Sequence, residues 1–268
     1  MSKIFLVVVA ALAFPAGAAP NAQGPTGGPR VGVVSDPCAA LPQRPATSNS
    51  AEIDDWQQRL QLADFFNLCR YHGENERLPV ATSRRVVFLG DSLTEGWKQS
   101  RPQFFGSDRI DRGISGQTSS QMLGRFYADV VALHPHAVHI LAGTNDIAGN
   151  TGPTTLDNIE NNIKAMAELA RAHRIKVILG TVLPATRFWW RQEIDPVPQI
   201  AALNSWVRSY ARRNGLGLVD YYAVLDDGQH GLRKVDSGDG VHPSVEGYRK
   251  MERAFNAEAG RLRSKHAQ

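Results

Sequence analysis

A chain of 268 residues is long enough for one full α/β domain or two small ones, with a sizeable core in either case. Hydrophobic residues make up 42% and charged residues 21%, which excludes wholesale disorder. The 30 Lys and Arg exceed the 26 Asp and Glu by only four, and they form no basic block. Nucleic acid is therefore not the partner that the charge implies. No repeat is visible, and beyond the N-terminus no apolar run is long enough to span a bilayer, so no stable membrane insertion is expected.

The first 19 residues read as a cleavable signal peptide. Lys3 supplies the positive start, Ile4 to Phe14 the short apolar run, and Ala16-Gly17-Ala18 the small-x-small cleavage pattern. The mature chain is thus expected to be secreted or periplasmic, where disulfides are permitted. Its two cysteines, Cys38 and Cys69, either form a single bridge or remain two unpaired thiols. Residues 20–50, rich in Pro, Gly, Ala, Ser and Asn, read as a flexible or surface-draped tether.

The domain proper is expected over 51–268. It opens with a helix from Ser50 to Arg70, whose apolar stripe is Ile53, Trp56, Leu60, Ala63 and Asn67, widened by Leu62, Phe66 and Leu68. The core follows over 85–264. Three continuous apolar runs, Val86–Leu89, Ala137–Ala142 and Lys176–Gly180, suit strands covered on both faces and hence a parallel sheet. Amphipathic helices separate and follow them, carrying Leu156, Ile159, Ile163, Met166 and Leu169; then Ile200, Leu203, Val207 and Tyr210; then Tyr248, Met251, Phe255 and Leu262. The alternation predicts a single-domain, flavodoxin-like three-layer α/β/α sandwich with right-handed crossovers. Ligands of such sheets bind beyond the carboxyl ends of the strands.

At those ends lie the residues that could do chemistry. Gly90-Asp91-Ser92-Leu93 follows the first run, on a turn that would expose the Ser92 hydroxyl and aim backbone N–H groups at the same space. The pentapeptide G-x-S-x-G is absent, and Ser92 with Glu95 also fits a helix-capping box. In Asp239-Gly240-Val241-His242-Pro243 a carboxylate three residues before a histidine can reach its ring nitrogen, fix its tautomer and stabilise the imidazolium formed when it takes a serine proton. A bland alternative is a His-Pro turn before the last helix. Candidate oxyanion donors are the N–H of Ser92, the N–H of Gly116 and the side-chain amide of Asn145, where an ordinary turn and an Asx-turn are the alternatives for the last two.

Together these residues resemble the SGNH hydrolase superfamily, the GDSL esterases and lipases, named for a Ser, a Gly, an Asn and a His in separate blocks. The matching blocks are Phe88–Thr94, Arg112–Thr118, Gly143–Asp146 and Asp239–His242, in the family's order. The resemblance implies Ser92 as nucleophile, His242 as base, Asp239 as its orienter, and Gly116 and Asn145 joining the Ser92 N–H in an oxyanion hole. It implies a serine esterase without a cofactor, acting on short-chain acyl or O-acetyl esters or on lysophospholipids, with an acylated glycan or lipid as substrate. The first three blocks look most like exported bacterial esterases related to platelet-activating-factor acetylhydrolase. An acyltransferase on cell-envelope glycans and a non-catalytic binding module are the rival readings.

Three other features draw attention. Phe188-Trp189-Trp190 follows the third strand run and either lines a substrate pocket at the same rim or packs on itself. His134, His136 and His139 lack the Cys or carboxylate that would complete a metal set. Asp236 and Asp239 lack the twelve-residue calcium-loop pattern, so no metal is expected.

Overall fold

The computed structural model describes residues 33–264, with side chains to residue 262. The leader reading and residues 20–32 of the tether lie outside the described residues. The chain divides after Ala39, and the unit that follows carries everything below. Both cysteines are disulfide-bonded.

Helix α1 spans Ser50–Ala63, capped by the Asn49 side chain, which accepts from Ala51 N. It stops short of the expected Arg70. The Asp64 carboxylate accepts from the backbone N–H groups of Leu68 and Cys69 at 2.7 and 2.9 Å and wraps the chain into a turn. The expected stripe is only half-buried at Ile53, Trp56 and Leu60, and Leu62 is 86% exposed. A short helix, α2 (His72–Glu76), follows.

The core then runs as strands separated by one or two helices: β1 (Val86–Gly90), α3 (Ser92–Ser100), β2 (Arg109–Gly113), α4 (Ser119–Asp129), β3 (Ala137–Ile140), α5 (Thr144–Ile147), α6 (Leu156–Ala172), β4 (Lys176–Gly180), α7 (Val197–Asn214), β5 (Gly217–Val219), α8 (Tyr221–Leu225) and α9 (Val245–Ser264). The five strands are parallel in the order β2-β1-β3-β4-β5. This is the flavodoxin-like order, with its switch point between β1 and β3. Because side chains alternate along a strand, each strand feeds two cores. Val87 and Leu89 of β1 face Met122 and Phe126 of α4, Ile159 and Ile163 of α6, and Leu203 and Val207 of α7. Phe88 faces the other way, among Leu93 and Trp97 of α3 and Tyr248, Met251 and Phe255 of α9. The result is the expected three layers.

Strands β2 and β5 carry no apolar run of the kind that marks the other three. In β2, Arg-Ile-Asp-Arg-Gly, Asp111 and Arg112 are nonetheless buried. Asp111 accepts from Gly113 N and the Tyr71 hydroxyl. The Arg112 guanidinium donates twice to Asn75 Oδ1 of α2 and lies 4.5 Å over the Tyr71 ring. The segment between α1 and β1 thus covers the sheet edge and satisfies its charges.

The ends of β1 and β2 are tied by a buried arginine. Arg125 of α4 donates to Gly90 O at 3.1 Å, to Arg112 O at 2.8 Å, to Gln117 Oε1 at 2.6 Å and to Asp129 Oδ2 at 3.0 Å, and neither charge is exposed. Helix α3 presses onto the same ends, where a Cβ on Gly113 would lie 2.2 Å from Glu95 N. Replacing Arg125 by Met leaves Asp129 buried without its cation, removes the guanidinium donor from the Arg112 carbonyl and leaves Gly90 O with only the Ile114 N–H. The expected loss is about 3–5 kcal/mol of folding stability, read by urea denaturation.

Candidate active site

Ser92 is the first residue of α3, directly after β1. The helix cap is Asp91, whose Oδ1 accepts from Leu93 N at 2.9 Å. Ser92 is therefore not the cap, and Glu95 closes no capping box with it. Glu95 instead accepts from the Ser115 N–H and hydroxyl, at 2.9 and 2.5 Å, and from Arg70 at 3.0 Å. The Ser92 hydroxyl is left free to face His242.

His242 comes from the loop before α9. Its Nε2 lies 2.9 Å from Ser92 Oγ, and its Nδ1 lies 2.7 Å from Asp239 Oδ2. Asp239 ionised can only accept, so the ring proton sits on Nδ1 and donates to it. Nε2 is then the acceptor for the Ser92 hydroxyl. Asp239 Oδ1 also accepts from Val241 N, His242 N and the Ser237 hydroxyl. Burial alone would raise the Asp239 carboxyl. The hydrogen bonds from the His242 ring and backbone and from Val241 outweigh it and pull the carboxyl down to about 2. The loop is pinned from behind by Asp236, which accepts Lys250 Nζ at 2.5 and 2.7 Å and Arg233 Nε at 2.8 Å. The faint calcium-loop carboxylate is thus a salt-bridge centre occupied by side-chain cations.

Gly116 and Asn145 join this rim. Gly116 follows β2 with φ +80°, a conformation that L side chains rarely adopt. The backbone N–H groups of Ser92 and Gly116 donate to no other described residue, whereas Asn145 is fully engaged. Its Nδ2 donates to Asp91 Oδ2 at 3.0 Å and to Gln117 O at 3.1 Å. Its Oδ1 accepts from Asn150 Nδ2 at 2.8 Å. Asn150 Nδ2 also donates to Gly116 O, and Asn150 Oδ1 accepts from the Trp190 indole N–H at 3.0 Å. An indole can only donate. Trp190 therefore sets which way the Asn150 amide faces, and Asn150 in turn sets Asn145.

The aromatic loop consequently divides. Phe188 is 0% exposed and stacks on Trp190 at 5.0 Å, so it belongs to the core and is withdrawn from the expected substrate contacts. Trp190 is half-buried and holds Asn150; Trp189, 57% exposed, is the one ring of the three that faces solvent broadly. Of the three histidines, His139 is buried in β3 beside the Tyr221 hydroxyl at 3.0 Å, and burial pushes it down to about 3. His134 and His136 lie before β3, in the turn at the opposite end of the strand from Asn145.

Two carboxylates were not assigned from the sequence. Asp146 accepts from the Ser119 N–H and hydroxyl and so holds the start of α4. Asp91 is fully buried between Leu93 N and the Asn145 amide, and burial pushes its carboxyl up to about 7. Each sits beside a predicted site residue in the sequence, which was the available signal.

Comparison with known proteins gives the family. The GDSL-like lipase/acylhydrolase family model matches residues 88–250, from β1 to α9. The chain belongs to the GDSL-like lipase/acylhydrolase family. Its SGNH fold is shared with a GDSL-like lipase of Bacteroides thetaiotaomicron, 46% identical, with a TM-score of 0.71 over 74% of this chain and 99% of that one. An acetylxylan esterase of Geobacillus stearothermophilus is 23% identical over 217 residues, 68% of this chain and 97% of that protein. The structure of a catalytic mutant of an acetylxylan esterase from the same organism, 22% identical, has a TM-score of 0.55 over 68% of this chain and 96% of that one, and the likeness is one of fold. The protein is a carboxylic ester hydrolase. No helix among the described residues of this esterase is long and apolar enough to cross a membrane.

The Asp91 carboxyl gives a pH test. Its folded pKa stands above that of an unfolded Asp, so the folded state holds the proton more tightly. Ionisation then costs stability progressively from about pH 4 to about 7. The Asp91→Asn variant escapes this cost. Calorimetric melting at pH 4, 6 and 8 is expected to show wild type losing ground to the variant as pH rises. A constant difference would place the Asp91 pKa at its ordinary value.

Proposed function

We propose that this esterase is an exported serine hydrolase that removes short acyl groups, acetyl above all, from saccharide or other small alcohol esters. The observation that carries the reading is the unbroken line Ser92 Oγ, His242 Nε2, His242 Nδ1, Asp239 Oδ2, at 2.9 and 2.7 Å. Ser92 Oγ attacks the ester carbonyl carbon as its proton passes to His242 Nε2. Asp239 holds the ring in the right tautomer and offsets the imidazolium charge. The oxyanion is met by the N–H groups of Ser92 and Gly116, with Asn145 as third donor once one of its amide hydrogens is released by Gln117 O or Asp91. Collapse breaks the bond to the alcohol, which leaves with the proton from His242. Water, deprotonated by the same ring, then hydrolyses the acyl-Ser92 ester to the free acid and restores the hydroxyl.

Acetyl specificity is supported by the acetylxylan esterase relative. Export is supported by the leader reading at residues 1–19 and by the disulfide-bonded state of Cys38 and Cys69, which suits an oxidising compartment.

The test is a series of 4-nitrophenyl esters from acetate to palmitate, with Ser92→Ala in parallel. Turnover is expected on acetate and propionate and to fall in the variant by at least about a thousandfold. Activity rising toward palmitate would replace the short-acyl reading with a lysophospholipase one, and activity surviving in Ser92→Ala would remove the mechanism. The Trp190→Phe variant keeps the ring but deletes the N–H that orients Asn150. Its kcat on 4-nitrophenyl acetate is expected to drop roughly tenfold with KM little changed, because the affected donors serve the transition state.

A further inference from the structure

A groove of about 590 Å³ runs from the Gly116 loop to helix α1. One wall is Trp56, Gln57 and Gln61 of α1; the other is Gly116, Asn150 and Thr151. It therefore touches the proposed oxyanion loop at one end. Helix α1, residues 50–63, lies upstream of the family region at 88–250, so this wall is an addition to the catalytic core. The volume falls in the range of small-molecule sites.

The chemistry of the groove selects its ligand. The Trp56 indole N–H is spent on Pro42 O at 2.8 Å, so this side chain offers ring surface and no donor. That bond and the Arg44 guanidinium, 5.9 Å from the ring centroid, fix the plane of the indole before any ligand arrives. Asn150 is saturated by Gly116, Asn145 and Trp190. Gln57 and Gln61, one helical turn apart, make no hydrogen bond to another described residue, and each offers two donors and an acceptor to the groove. The formal charges do not favour an anion. Arg70 is paired with Glu95 at 3.0 Å, and Glu95 is held further by Ser115, so the pair closes on itself. Leu60 and Ile114 are the aliphatic side chains of the lining, too few to bed a long acyl tail.

A preset indole face, two free amides and no unpaired charge among the lining residues match a neutral polyhydroxylated ring better than a phosphate headgroup or a fatty chain. We propose that α1 and the Gly116 loop form a saccharide subsite that holds the alcohol portion of the ester while its acyl group sits at Ser92. The proposal rests on the acetyl-esterase reading above and adds to it the part of the chain that selects the leaving group. It predicts that binding energy from the sugar is collected outside the family core, by residues that take no part in bond making.

The experiment compares wild type, Trp56→Ala and the double variant Gln57→Ala/Gln61→Ala on two substrates, acetylated xylo-oligosaccharide and 4-nitrophenyl acetate. The glutamines are exposed on α1, so the double variant tests the subsite without removing a packing residue. On the oligosaccharide, kcat/KM is expected to fall about tenfold or more in both variants, chiefly through KM. On 4-nitrophenyl acetate it is expected to stay within about twofold of wild type. Equal losses on both substrates, or no loss on the oligosaccharide in the double variant, would overturn the subsite. Wild type that cleaves 4-nitrophenyl acetate through Ser92 but no acetylated saccharide would overturn it too while leaving the serine esterase standing. Activity on 4-nitrophenyl acetate that survives Ser92→Ala would instead strike at the mechanism itself.

Discussion

Everything at the rim hangs on how two strand ends are held apart and still. In this esterase the carbonyls of Gly90 and Arg112, at the ends of β1 and β2, converge on one buried guanidinium, and Ile114 N adds a second donor to Gly90 O. Arg125 supplies donors to both, to Gln117 in the loop of Gly116, and to Asp129 on its own helix. A charge without exposure is costly, and here it is met by a carboxylate and three neutral oxygens arranged around its fork. The turn that presents Ser92 and the loop that presents Gly116 thereby share a single anchor. Their spacing is set by the geometry of one planar group rather than by two loops settling independently.

The second frame is the chain of amides that starts at Trp190. A donor-only indole, an asparagine whose two ends are thereby assigned, and a second asparagine oriented by the first form a sequence of decisions with one consistent outcome. It ends at Asp91, a carboxyl pushed up to about 7 by burial, next to Ser92 in the chain. The amides of this chain are thus committed, whereas the backbone N–H groups of Ser92 and Gly116 donate to no other described residue and, in the proposed mechanism, meet an oxyanion at no cost in broken bonds.

Much of this was legible in the sequence. The apolar runs of β1, β3 and β4 were readable because burial on both faces leaves an unbroken signature. Strand β2 was not, because its buried Asp111 and Arg112 are satisfied by Tyr71 and Asn75, residues some 40 positions away that no local pattern reveals. The overlong first helix has a local cause: the Asp64 carboxylate offers the backbone a competing turn, which an apolar count ignores. Ser92, Asp239 and His242 were named together through the block order of a resembling family, and the structure brings them within hydrogen-bond distance. Phe188 was misplaced because loop composition says nothing about which of three adjacent rings turns inward.

The loop that carries His242 has a further consequence. Asp239 and His242 lie three residues apart on one short segment, and their contact is local, whereas the contact with Ser92 spans 150 residues. The segment is held to α9 by the ion pair of Asp236 with Lys250, and Asp236 also takes Arg233 three residues upstream. If those pairs loosen, the histidine and its carboxylate travel as one piece, and only the gap to the serine widens. Under the proposed mechanism, partial unfolding near α9 switches the enzyme off with the Asp239–His242 contact intact and the sheet still paired, so that loss of turnover on warming precedes loss of secondary structure and is regained on cooling.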